Sequence, residues 1–227
     1  LSSQCKNMRL SFLLLVAALS FAACSENHAP PRILVFSKTE GYRHESIPTG
    51  VAALRQLCRD NQIVMDTTED SADFNERNLR RYAAVVFLNT TGDVLNPVQE
   101  AEFERYIQAG GGYVGIHSAT DTEYGWKWYG GLSGAYFNGH PAIQEAKVMV
   151  RNHEHPATRH LKEDNWLRKD EWYNFKEFNT TVQVLLALDE SSYEGGGMCQ
   201  HGETEPCHPL SWCHEYDGGR AFYTAMG

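Results

Sequence analysis

A chain of 227 residues is long enough for one sizeable core and short for two comfortable domains. At 42% hydrophobic, 11% aromatic and 22% charged, it is neither disordered nor collagen-like. The formal charge of −9, with no run of Lys and Arg to offset it, would repel a phosphate backbone, so no nucleic acid is expected as a partner.

The chain order starts with Leu1 to Asn7, a polar leader upstream of a better start at Met8. Met8-Arg9 precedes the uncharged run Leu10 to Ala23, which ends in Phe21-Ala22-Ala23-Cys24: a charged region, an apolar region and small residues before a cysteine. As a helix this run rises only ~21 Å, short of a ~30 Å hydrocarbon core. It resembles a bacterial lipoprotein signal, which implies cleavage before Cys24, lipidation of Cys24, and a place in the periplasm or at the outer membrane with the lipid as the sole membrane contact. Phe21 stands where that motif usually has Leu, so ordinary signal cleavage with secretion is the alternative. The boundaries expected are a leader at 1–7, a signal peptide at 8–23, a linker at 24–31 and a folded domain at 32–227.

Within that domain, Ile33-Leu34-Val35-Phe36 reads as a strand buried on both faces. Ser46 is placed to cap a helix carrying Ile47, Val51, Leu54 and Cys58 at helical spacing. Ile63-Val64-Met65 is a second strand, a short polar helix covers Asn75 to Arg81, and Ala83 to Leu88 is a third strand. Asn96, Pro97 and Gln99 supply an N-cap, a first-turn proline and a capping-box partner for a helix through Ala109, stopped by Gly110-Gly111-Gly112. Tyr113 to Ile116 is the fourth strand. After Asp121 come aromatic, glycine-rich loops, a strand near Ala146 to Val150, another over Val182 to Leu188, and a hairpin of Leu210 to Tyr216 with Arg220 to Thr224 turning at Asp217-Gly218-Gly219. The alternation predicts an α/β fold with a mostly parallel sheet, helices on both faces, and ligands beyond the carboxyl ends of the strands.

The residues just after those strands, Ser37 to His44, Asn89 to Asp93 and His117 to Asp121, are polar for their surroundings. Gly110 to Ala119 has the layout of a strand-to-helix nucleophile elbow, with a glycine two residues before the tip and a small residue two after; the tip is His117. None of the six cysteines forms a Cys-x-x-Cys pair; in an oxidising compartment Cys199 and Cys207 could close a short loop, but spacing does not assign the pairing.

Gly41-Tyr42-Arg43-His44, Phe87 to Gly92, Gly115 to Asp121, Gly139-His140-Pro141, Asp170-Glu171-Trp172-Tyr173, His208 to Trp212 and Gly219 to Gly227 resemble, in order, the motifs of the ThuA-like (trehalose utilisation) family. The resemblance covers about residues 32 to 227 and implies the flavodoxin-like fold of class I glutamine amidotransferases, with a role in sugar and keto-sugar metabolism, often beside a sugar oxidoreductase. In those amidotransferases the elbow tip is a cysteine; His117 cannot form the same covalent intermediate, so glutamine amidotransfer is disfavoured. The family pattern continues past the final glycine with a His and a closing helix, so the resemblance implies a further element there.

Histidine serves both as metal ligand and as acid/base near neutral pH, which makes His44, His117, His140 and His208 candidate ligands for a divalent metal such as Zn. Asp121 is a candidate carboxylate partner of His117, sharing its helix face if a helix begins at the elbow, and Glu171 a base beside aromatic neighbours. Tyr42, Asn89, Trp126, Trp128, Tyr129, Trp172 and Tyr173 are candidate contacts to a small carbohydrate, the aromatics offering flat apolar faces. His153-Glu154-His155 and His201-Gly202-Glu203 read as solvated loops. Two readings remain open: an exported enzyme on sugars or keto-sugars, and a non-catalytic sugar-binding or accessory lipoprotein.

Overall fold

The structure, a computed structural model, describes residues 29–199 and 207–227. The signal segment, Cys24 and the 201–203 run lie outside the described residues. In chain order the elements are β1 (Arg32–Phe36), α1 (Ile47–Asp60), β2 (Val64–Thr68), α2 (Glu76–Leu79), β3 (Ala84–Leu88), α3 (Pro97–Gln108), β4 (Gly112–Ile116), α4 (Lys127–Ser133), β5 (Tyr136–Phe137), β6 (Gln144–Val150), β7 (Asn165–Asp170), β8 (Phe175–Lys176), β9 (Gln183–Asp189), β10 (His208–Tyr216) and β11 (Gly219–Thr224).

Nine of these strands form one sheet in the order β2-β1-β3-β4-β11-β10-β9-β6-β7. The expected parallel α/β sheet is its first half: β2, β1, β3, β4 and β11 all pair in parallel. From β11 onward each new pair is antiparallel, so the second half is a meander-like extension of the first. The alternation of side chains along β1 and β3 explains why both are continuous apolar runs. Val35, Val86 and Leu88 face α1, with Val51 and Leu54 packed on them. Leu34, Phe36, Val85 and Phe87 face the opposite layer, where α2, α3 and α4 contribute Leu79, Phe103, Ile107, Tyr129 and Leu132.

Local sequence signals account for several ends. Asn96 accepts from the N–H groups of Val98 and Gln99, and the Gln99 side chain accepts from the Asn96 N–H, the reciprocal box expected for α3. Ser46 does occupy the N-cap position of α1, but its hydroxyl makes no cap bond; it accepts instead from Asn89 Nδ2 at 3.1 Å. Four elements were not legible. The glycine-rich aromatic stretch forms α4, edge strand β7 has a plain alternation without β-branched residues, and β5 and β8 are two-residue partners. Cys199 and Cys207 are joined by a disulfide with Cα atoms 5.3 Å apart, whereas Cys58 and Cys213 are free.

The loops beyond the carboxyl ends of β3 and β4 are tied together by Glu123. Its side chain is buried and its Oε1 accepts from the N–H groups of Val94 and Leu95, at 2.9 and 2.8 Å. Burial, reinforced by a hydrogen bond with the Asp93 carboxyl, raises its pKa to about 8. A carboxyl whose folded pKa is raised contributes stability that is fully present below the ordinary Glu range and is lost as pH rises through about 8. The thermal midpoint of the protein is therefore expected to fall between pH 6 and pH 9, and Glu123→Gln to flatten that fall; an equally steep decline in the variant would contradict the assignment.

Candidate functional site

The site forms where the strand-end rule places it. β4 ends at Ile116, and His117 then adopts φ 53°, left-handed backbone that a non-glycine residue rarely occupies. The surrounding structure holds that turn in place: the Tyr223 hydroxyl donates to the His117 carbonyl at 2.7 Å, and Gly115 lets Tyr113 and Tyr223 close over the strand. A Cβ at Gly115 would lie 2.6 Å from the Tyr113 hydroxyl oxygen. The first turn after the elbow is a short 3-10 segment, His117–Thr120, rather than an α-helix.

His117 Nδ1 lies 2.7 Å from the carbonyl of Ala225, just past β11, so Nδ1 carries a proton and donates. That leaves Nε2 directed at Glu171, which enters from the end of β7 with Oε2 at 3.2 Å. Glu171 meets two further imidazoles: His44 Nε2 lies 3.7 Å from Oε2, and His140 Nε2 lies 3.2 Å from Oε1. The hydrogen bond with His117 holds the Glu171 carboxyl at about 2, against its partial burial and with help from the charges of His140, His117 and His44. Burial pushes the His44 pKa down, and neighbouring His117 adds to that, so His44 is favoured neutral. Its Nδ1 is 3.3 Å from Ser118 Oγ, and its ring meets that of His117 edge-on at 4.7 Å.

In a neutral His117 ring, the Nε2 lone pair faces a carboxylate oxygen, and two electron-rich atoms this close call for a cation between or upon them, a proton or a metal. Ligand atoms of His44, His117 and Glu171 all lie within 4.8 Å of one another. Metal–ligand bonds near 2 Å put tetrahedral donors ~3.3 Å apart, so modest side-chain adjustment would seat a Zn-like ion. Two nitrogens and a carboxylate oxygen also suit the donor preferences of such an ion.

Several other expected residues line this cluster. Tyr173 lies against His117 with ring centres 4.3 Å apart and the planes tilted by 30°, and Phe137 packs on Tyr173 at 4.2 Å. Tyr42 is exposed at the mouth, edge-on to His44 at 4.9 Å. Asp121 does not share a helix face with His117; the Tyr124 hydroxyl donates to it at 2.6 Å, and burial raises its pKa, with the His44 charge opposing. Asn89, also at positive φ, is buried, and its amide holds the Ser46 hydroxyl rather than pointing into the cleft. Ser118, Phe137 and the Ala225 carbonyl were not anticipated. Ser118 was signalled by its place beside the elbow, but a backbone carbonyl leaves no trace in sequence.

Two expectations are corrected. The four histidines do not converge: His208 is completely buried, with Nε2 on the Tyr173 carbonyl and Nδ1 on Glu190, each at 2.8 Å, so both nitrogens are engaged away from the cluster. Nor do the tryptophans form a sugar platform. Tyr129 and Trp172 have no exposed surface; Trp126 stacks on Trp128, and their indole N–H groups donate to Glu104 on α3 and to Asp217 in the hairpin turn. Large aromatic area beside helices buries itself between layers, and burial wins over solvent-facing display.

A cleft of about 710 Å³ lies elsewhere, at the amino ends of β3, β4 and β11. Cys213 and His155 meet there at 3.5 Å, but His155 Nδ1 accepts from the Ala157 N–H, so Nε2 bears the proton and cannot take one from the thiol. The converging imidazoles and carboxylate lie instead in the Glu171 cluster.

A family model described as ThuA, trehalose utilisation, matches residues 32–227. Among solved structures, the chain is similar to a ThuA-like protein from Bacteroides uniformis (23% identity, TM-score 0.71, 88% of this chain and 83% of that one). It is also similar to one from Parabacteroides merdae (18%, TM-score 0.68, 87% and 80%). An exo-β-1,4-mannosidase from Opitutaceae bacterium strain TAV5 contains a region of the same fold (9%, TM-score 0.51, 87% of this chain and 31% of that one). At these identities the structural likenesses establish fold alone. No curated protein sequence matches the chain.

Gly115→Ala should destabilise the protein by about 1–3 kcal/mol, the usual cost of overpacking, because the new methyl meets the Tyr113 hydroxyl and the Tyr223 ring. Urea denaturation measures this, and an unchanged midpoint would show that the elbow does not depend on that close approach.

Proposed function

The chain belongs to the ThuA, or trehalose-utilisation, family, and from that premise we propose that it is an exported enzyme acting on a sugar or keto-sugar through the Glu171 cluster. The observation that carries this reading is the convergence of three imidazoles on one carboxylate, with His117 fixed in orientation by the Ala225 carbonyl. A divalent ion such as Zn would be held by His44, His117 and Glu171. Bound there, it would polarise a carbonyl or acidify a water molecule.

The chain's own groups divide the remaining work. His140, at the rim and 3.2 Å from Glu171, can pass a proton between that carboxylate and a substrate hydroxyl. Asp121, its pKa raised by burial, is a second carboxyl near His44. Tyr42 and the half-buried Phe137 supply apolar faces for a sugar ring in place of the tryptophans. If the substrate is a keto-sugar, a sugar oxidoreductase acting on the parent sugar would supply it. Export would rest on the segment before Cys24, with attachment to the membrane through a lipid on that cysteine.

The test is metal analysis of the purified full chain together with turnover of 3-keto-glycosides and their parent disaccharides, in wild type and His117→Ala. Expected are a bound or bindable divalent ion and a loss of turnover of at least ~100-fold in the variant, the lower bound for removing a positioned acid/base group. Sugar binding by wild type with no metal and no turnover would support the accessory-lipoprotein reading instead. Mass spectrometry of the mature N-terminus should find a lipidated Cys24; an unmodified, uncleaved 10–23 segment would refute the anchor.

A further inference from the structure

His208 lies outside the cluster, yet it is one of the most completely engaged side chains in the fold. It has no exposed surface, and both ring nitrogens are engaged: Nε2 donates to the Tyr173 carbonyl at 2.8 Å, and Nδ1 lies 2.8 Å from both Glu190 Oε1 and the Tyr193 hydroxyl. We infer that His208 is a positioning residue for the candidate site, a buried clamp that sets the Glu171–Tyr173 segment against His117 and His140. This rests on the reading of the Glu171 cluster as the functional site.

The clamp bears on the one stretch of the site that regular structure leaves loose. Glu171 follows the end of edge strand β7, and Tyr173 precedes the two-residue strand β8, so few ladder bonds fix residues 171–174. Their backbone is held locally by the Glu171 N–H, which donates to Asp170 Oδ1 at 2.9 Å, and from elsewhere in the fold at two places. On one side, Asn174 exchanges bonds with the segment before His140: its N–H donates to the Gly139 carbonyl at 2.9 Å, and its carbonyl accepts from the Asn138 N–H at 2.8 Å. On the other side, the Tyr173 carbonyl is gripped by His208. Because carbonyl 173 lies between Glu171 and Asn174, the His208 bond bears on both the stretch that carries the carboxylate and the stretch bonded to the segment before His140.

His208 is itself anchored. Glu190, held below the usual Glu range chiefly by His208, also accepts from the N–H groups of Met198 and Cys199, at 2.8 and 3.4 Å. The Met198 sulfur accepts from the Phe175 N–H, and Cys199 is tied to Cys207, the residue before His208. The disulfide therefore closes a short circuit from Cys207 through His208 and Glu190 back to Cys199, with the circuit pressed on residues 173–175. A histidine suits this place because a rigid ring carries a polar nitrogen at each end, one for the Tyr173 carbonyl and one for the Glu190–Tyr193 pair.

The experiment uses the full chain with Co2+ as the probe, comparing wild type, His208→Leu, His208→Gln and Glu190→Gln. His208→Leu removes both ring nitrogens and should weaken Co2+ binding about tenfold or more, the usual cost of losing a group that orients metal ligands. His208→Gln keeps an amide N–H for the Tyr173 carbonyl and should recover most of that loss; Glu190→Gln, which loosens the anchor of the ring but keeps the Nε2 bond, should fall between. A second readout needs no metal: the His117 ring protons lie under the Tyr173 ring, so their NMR shifts should move in His208→Leu and return in His208→Gln. A His208→Leu protein that melts earlier but keeps wild-type Co2+ affinity and His117 shifts would overturn the proposal and make His208 a core residue only. If wild type binds no Co2+, the metal reading fails, while the His117 shifts still decide whether His208 positions the segment.

Discussion

Glu171 brings together parts of the chain that no regular element connects. Its carboxylate, entering from the end of the outermost antiparallel strand, meets His117 from the central parallel half, His44 from the loop after β1 and His140 from the loop before β6. A carboxylate in a partly buried setting is tolerated only where hydrogen bonds and positive charge compensate its lost hydration. The depressed Glu171 pKa and the turned-out Nε2 atoms are two sides of that compensation. If any of the four approached from another direction, the others would be left with uncompensated polar atoms, so the loop geometry around the cleft is set by this meeting.

The segment between β7 and β8 makes the meeting possible. β7 lies at the far edge of the sheet, and the chain after it returns to the elbow, where Glu171 meets His117, before β8 pairs with β5. Here β11 lies parallel to β4 and antiparallel to β10, and the second half of the sheet then runs back past the site. Ala225, immediately beyond β11, thereby gains the position from which its carbonyl orients His117. The same arrangement separates two layers of aromatic residues. Tyr42, Phe137 and Tyr173 gather around the imidazoles, while Trp126 and Trp128 are drawn to α3 and the hairpin turn.

Left-handed backbone at non-glycine residues recurs at the end of the sheet that carries the cluster. Asn89 and His117 end adjacent parallel strands β3 and β4, and both take positive φ. Each is held by a bond from elsewhere: Asn89 donates to Ser46, and the His117 carbonyl accepts from Tyr223. Strained backbone persists where the surroundings over-determine it, and here the surroundings are large buried tyrosines behind the elbow and capping groups in front of it. The elbow motif was readable because its steric requirements fall on nearest neighbours, with glycine two before the tip and a small residue two after.

By itself the sequence determined the local structure: the buried strands from continuous apolar runs, α3 from its capping box, the elbow from its glycine spacing, and His44, His117, His140 and Glu171 as chemically capable residues. It could not order the far half of the sheet, because β7 and the β5–β8 pair are short or polar and owe their strand geometry to partners distant in sequence. It could not tell His208 from the other histidines, since a ligand and a buried clamp have the same side chain and differ only in what surrounds them. The tryptophans were misplaced for the same reason, as apolar area is indifferent to which cleft or layer removes it from water. Only the tertiary structure decided which imidazoles share a carboxylate, because that depends on direction and distance between loops, and spacing along the chain does not encode either.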